Sequence, residues 1–195
     1  MPKTRRLLLM RMLLMRIVST AIALCFLAAG TALADPITDL ERMNGRWQLD
    51  WDQSDSFESV MKLLETPWLM RRLAGIVSVY VTFEVESPEC ETCEPRLRIL
   101  QENPIKNTTR VVVLDGEPRP AKDPLGNESV DRFKWNPEHG LEMVRERVLK
   151  SGKLARIREW RRVADDLNTM VSLMTVWIDG EERASIRRVM RRITE

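Results

Sequence analysis

After Gly75 the chain is a succession of short β-type runs separated by tight-turn residues. Val77, Val79, Val81, Phe83 and Val85 alternate with Ser78, Tyr80, Thr82 and Glu84, the period of a half-buried strand. Further runs occupy residues 96–101, 108–114, 129–135, 141–149, 154–163, 167–178 and 181–194. Asp179-Gly180 is a two-residue hairpin signal, and Asp115-Gly116 and the Ser151-Gly152 pair mark other turns. Parallel strands need crossovers of about a dozen residues or more, which such connections do not allow. Residues 117–127, rich in Pro, Gly and charge, read as a loop with room for one poor strand. Residues 45–52 add an opening strand with Trp47, Leu49 and Trp51 on one face, the two tryptophans expected to plug one end. The fold predicted is all-β: an antiparallel up-and-down β-barrel of nine or ten strands. Closure removes the exposed edges of a long meander, and a barrel of this size encloses a cavity.

A pair of helices interrupts the strands. Ser54 and Ser56 are N-cap candidates, and Phe57, Val60, Met61 and Leu64 follow with helical spacing. Thr66-Pro67 ends this helix and starts a second, which stops at Gly75. This helix-turn-helix, within residues 54–75, is expected as a lid over an open barrel end. No other helical period is evident after residue 34.

Residues 1–34 read as an export signal. Five basic residues precede an apolar stretch at 17–30, and Ala32-Leu33-Ala34 matches a cleavage site. Cleavage after Ala34 would leave residues 35–195 as a single barrel domain in a periplasmic or secreted protein. It would keep 26 of the 31 basic residues and all 29 acidic ones, a net charge of −3, so no basic surplus suggests nucleic acid. Cleavage also removes Cys25 and leaves Cys90 and Cys93, flanked by Pro and Glu between two strand-like runs. A structural disulfide at a hairpin tip is expected over a redox site, because neighbouring carboxylates raise thiol pKa values. With 3 Cys and 1 His, no multi-ligand metal centre is expected, and no cofactor. His139 lies in a Pro/Gly turn, and no His/Asp/Ser cluster supports an enzyme.

Four segments carry a family resemblance. Gly45-Arg46-Trp47-Gln48-Leu49, Ser56 to Lys62, Arg71-Arg72-Leu73-Ala74-Gly75 and Arg188-Val189-Met190 follow one another at family spacing. In this order they resemble the fatty-acid-binding proteins of the calycin superfamily. The resemblance implies a ten-stranded barrel, a helical lid, an internal lipid cavity and no catalysis. It also implies that late-strand arginines hold a ligand carboxylate with a Tyr in the last strand, where this chain has Met190.

Strand parity supplies candidates. In the last strand Ala184, Ile186, Arg188 and Met190 form the more apolar face and should point inward. Ile157, Glu159, Arg161 and Val163 do so two strands earlier, and Met170, Ser172, Met174, Val176 and Ile178 between them. Arg188 and Arg161 are thus candidates for an anionic head group, and Met174 and Met190 for an apolar tail. Glu159 either neutralises these arginines internally or leaves them to a ligand. Phe57, Met61 and Trp68 are candidate portal residues. The function expected is non-catalytic carriage, by an exported monomer, of a fatty acid or similar hydrophobic amphiphile. The alternative is a filled barrel that docks an envelope partner or anionic surface through its Arg-rich outer face. Peripheral membrane contact stays open under either reading.

Overall fold

The computed structural model describes residues 36–74, 77–86, 94–102, 107–123, 125–136 and 138–194. Ten antiparallel strands form one sheet: β1 (Gly45–Asp50), β2 (Tyr80–Glu86), β3 (Arg96–Glu102), β4 (Thr108–Val113), β5 (Arg119–Lys122), β6 (Glu128–Asn136), β7 (Gly140–Val148), β8 (Leu154–Val163), β9 (Thr169–Ile178) and β10 (Glu181–Ile193). Their spatial order is β4-β3-β2-β1-β10-β9-β8-β7-β6-β5. The first strand therefore pairs with the last, with Arg46 opposite Ile193 and Leu49 opposite Met190. This is the up-and-down meander that the turn spacing requires.

The cylinder has one seam. β4 and β5 end the hydrogen-bonded order and do not pair with each other. Across it, an isolated bridge joins Asp115 to Lys134, and Arg110 on β4 reaches Asp131 on β6 at 3.4 Å. The tenth strand, β5, is the poor one that the 117–127 segment has room for. The second strand begins at Tyr80 and not at Val77: Val77 and Val79 line the interior before that ladder starts.

Among the described residues three helices accompany the sheet: α1 (Pro36–Glu41), α2 (Glu58–Leu63) and α3 (Trp68–Ala74). The lid pair α2 and α3 lies where expected, but its entry differs. Phe57 occupies the N-cap position with φ −79° and ψ −5° and makes no side-chain cap, while the Ser56 hydroxyl accepts the Glu58 N–H at 3.3 Å. Ser54 serves the sheet instead: its hydroxyl donates to the Asp50 carbonyl at 2.6 Å and accepts the Val189 N–H at 2.9 Å. The lid is also pinned at its turn. Arg147 on β7 donates to the Leu64 carbonyl at 2.6 Å, and the Ser151 N–H donates to Glu65 at 3.2 Å.

The helix α1 was not expected, because six residues are too few to display a helical period. It closes the end opposite the lid. Leu40 and Met43 are buried there, and the Trp47 indole donates to the Met43 carbonyl at 2.9 Å. Arg192 lies over the Trp47 ring at 4.2 Å and donates to the carbonyls of Leu167, Arg42 and Asn44. One guanidinium thus satisfies carbonyls from two connecting segments. The two tryptophans expected together are separated: Trp47 plugs this closed end, whereas Trp51, just past β1, faces the cavity below the lid. Cys90 and Cys93, like the proposed signal segment, lie outside the described residues.

Gly140 opens β7 with φ +83°, and a Cβ there would collide with the backbone carbonyl of Arg161. Neither backbone can yield without breaking the β7–β8 ladder, where Leu141 faces Arg161. Gly140→Ala should therefore lower unfolding stability by about 2 kcal/mol or more. Chemical denaturation of the two proteins checks this. An unchanged midpoint would contradict it.

Candidate functional site

The period of two along each strand decides what the interior contains. A cavity of about 510 Å³ lies between the lid and the sheet, within the usual range for small-ligand sites. Trp51, Phe57, Met61, Met70 and Ala74 line it from the lid side, and Val81, Ile99, Met143, Ile157, Met174 and Met190 from the strands. Met174 and Met190 sit where parity placed them, 6% and 5% exposed. Met70 and Ala74 share one face of α3, which leaves Trp68 on the other, 63% exposed and not lining the cavity. Trp68 instead has Arg72 5.8 Å from its ring centre.

The expected polar residues also converge. Arg161 donates twice to Glu159, at 3.0 and 2.8 Å, and Ser172 donates to the same carboxylate at 2.6 Å. Burial would raise the Glu159 carboxyl, but the charge and hydrogen bonds of Arg161, the charge of Arg188 and the Ser172 hydroxyl outweigh it. The result is a pKa well below the usual carboxylate range. Arg188 lies 5.3 Å above the Phe57 ring and, among the described residues, forms no hydrogen bond or ion pair. Burial is the main cause that lowers its pKa.

Sequence reasoning missed a second group of charges. Arg145 binds Asp131 through two hydrogen bonds, at 2.8 and 2.5 Å, and the Ser129 hydroxyl adds a third at 3.1 Å. Arg147 pairs with Asp123, which also accepts the backbone N–H groups of Leu125 and Asn127. Arg110 touches Asp131 only at 3.4 Å and stands 4.9 Å from the Phe133 ring centre. Burial, then the charges of Arg145 and Arg161, lower its pKa to about 10. The signal for these residues was present: Leu141 and Met143 put Arg145 and Arg147 inward by the same parity that selected Arg188.

Lys122 stands exposed at the rim; apart from it, five arginines face three carboxylates among the described residues: Arg110, Arg145, Arg147, Arg161 and Arg188 against Asp123, Asp131 and Glu159. Among the described residues the interior is thus apolar over most of its wall and holds two more arginines than carboxylates. Among the described residues no group of three or more His, Cys, Asp or Glu is arranged to hold a metal ion.

No protein-family model matches the sequence, and no curated protein matches it. Solved structures do. A fatty acid binding protein of Schistosoma mansoni, in complex with arachidonic acid, is similar over 80% of this chain and 99% of its own, with TM-score 0.60 and 21% identity. Fatty-acid-binding protein 1 of Echinococcus granulosus is similar over 79% and 99%, with TM-score 0.55 and 20% identity. The chain has the fatty-acid-binding-protein fold. Secretory abundant heat soluble protein 4 of Ramazzottius varieornatus shares it at TM-score 0.54 and 11% identity, over 79% of this chain and 96% of that one.

The Glu159–Arg161 pair makes a pH prediction. A depressed carboxylate contributes stability that is fully present above its ordinary pKa of 4.5 and is lost as pH falls through the folded-state value. Glu159→Gln leaves Arg161 buried and unpaired. It should cost about 3 kcal/mol at neutral pH. Denaturation measured from neutral pH down to about pH 2 should show the gap between wild type and variant narrowing only below about pH 4.5. A gap independent of pH would refute the assigned ionisation.

Proposed function

We propose that the protein binds a fatty acid or a similar anionic amphiphile in its interior cavity and carries it without catalysis. The observation that carries this reading is Arg188. Its guanidinium points into a mostly apolar enclosure, and the nearby carboxylate, Glu159, is already held twice by Arg161 and once by Ser172. A buried guanidinium without an anion is costly. A ligand carboxylate would satisfy it in a forked geometry, beside the Phe57 ring. Met174, Met190 and Met61 offer an adaptable surface for the tail. Burial of each CH₂ contributes roughly 0.8 kcal/mol before the costs of association, so the tail provides most of the affinity and the arginine selects the head.

The similar folds support the same direction: one of those proteins is in complex with arachidonic acid. The outer basic face gives less support to a docking role, because its charges are largely matched. Arg191 pairs with Asp50, Arg158 with Glu142, and Arg156 and Arg132 with Glu146. The extracytoplasmic part of the proposal rests on the leader-like segment 1–34, and protein recovered from outside the cytoplasm should begin at Asp35 on N-terminal sequencing.

Arg188→Met removes the charge and keeps the bulk. A hydrogen bond to a charged group contributes about 1.5–3 kcal/mol, so the variant should bind fatty acids at least about tenfold more weakly. Fatty alcohols of the same chain length should be little affected. Displacement of a fluorescent fatty acid by each ligand measures both. Equal losses for acid and alcohol would defeat the carboxylate role of Arg188.

A further inference from the structure

We propose that Arg110 forms a second anion subsite, so that the cavity prefers an amphiphile with a doubly charged head group, of the phosphate monoester class, over one with a single charge. This rests on the reading of the cavity as an amphiphile site and specifies its ligand. Each interior carboxylate is committed to one arginine: Asp131 to Arg145, Asp123 to Arg147 and Glu159 to Arg161. Two guanidiniums remain over. Arg188 has no hydrogen-bonding partner among the described residues, and Arg110 has one long contact to an already occupied carboxylate.

The two leftover groups have the same setting. Each lies against an aromatic ring, Phe57 for Arg188 and Phe133 for Arg110, and each is beside a carboxylate–arginine pair. Both face the same cavity. Aromatic contact holds a guanidinium in place without neutralising it, so its N–H donors remain available to an anion. A monocarboxylate held by Arg188 leaves Arg110 with only its long contact to Asp131. The charges of Glu159 and Arg161 act on both guanidiniums, and a phosphate monoester, with two charges and three acceptor oxygens, brings a second negative charge into the cavity they share. The Arg110 side chain is one-third exposed and stands on β4 at the seam. An anion held there would lie beside the break in the sheet.

The test uses the purified protein and four probes with the same tetradecyl chain: tetradecyl phosphate, its methyl diester, tetradecanoate and tetradecanol. The diester is a phosphate that keeps one charge at all relevant pH. At about pH 8 the monoester should bind at least about tenfold more tightly than the diester. Near pH 5, below the second phosphate pKa of about 6, that preference should disappear. This comparison needs no variant. Arg110→Met should weaken the monoester at least about tenfold more than the diester or tetradecanoate, while Arg110→Lys keeps part of the preference. Circular dichroism and thermal melting establish that both variants fold.

If monoester and diester bind the wild-type protein alike at pH 8, the second subsite is refuted. So it is if Arg110→Met weakens all anions equally. Neither result touches the first reading, which stands as long as Arg188→Met separates tetradecanoate from tetradecanol. If that separation is absent, the first reading fails, whatever Arg110 does.

Discussion

The structure depends on the pairing of its first strand with its last. Without the ladder that sets Arg46 against Ile193 and Asp50 against Val189, the meander would be an open sheet with an exposed apolar face. The loop that follows β1 extends this contact. Ser54 and Asp55 both bond to the β10 backbone, through Val189 and Arg187. The start of the lid is therefore fixed by the same strand that presents Arg188 to the cavity. The contact joins chain segments about as far apart as the domain allows, so loop-closure entropy opposes it until much of the sheet has formed.

Closure forces polar side chains into a low-dielectric interior, and the chain answers with one-to-one pairing. The three buried carboxylates, Asp123, Asp131 and Glu159, are each less than a tenth exposed, and each is held by an arginine and by further hydrogen bonds. Such pairs add little net stability, because desolvation offsets the attraction, but removal of one partner is costly. They organise position more than they add free energy. Arg147 illustrates this: it meets Asp123 inside and the Leu64 carbonyl of the lid with one guanidinium, so the lid turn and the interior charges share a support.

The sequence was informative where the physics has a short period. A period of two turned Arg188, Arg161, Glu159, Met174 and Met190 inward, and turn residues announced most strand ends. The same rule applied to residues 141–147 would have found Arg145 and Arg147, and applied to Phe133 it would have found Asp131. What parity cannot supply is partnership. That Asp131 binds Arg145 at 2.5 and 2.8 Å and Arg110 only at 3.4 Å depends on the placement of three strands. Likewise, parity turned Trp51 inward but did not give its height: four extended residues, about 13 Å, carry it from the plug at Trp47 to the cavity below the lid. The helix α1 has too few residues for a period, and Trp68 was assigned to the portal without the rotation that places Met70 and Ala74 inside.

The seam has a consequence for association between copies. A sheet that stops at β4 and β5 presents two backbone edges that a second molecule could extend. Here the β5 edge is only four residues long, contains Pro120, which has no N–H to donate, and is flanked by the charged Arg119 and Lys122. The opposite edge carries Arg110, whose reach to Asp131 spans the gap. Edge-to-edge growth into larger assemblies is thereby disfavoured at the one place where the ladder is open.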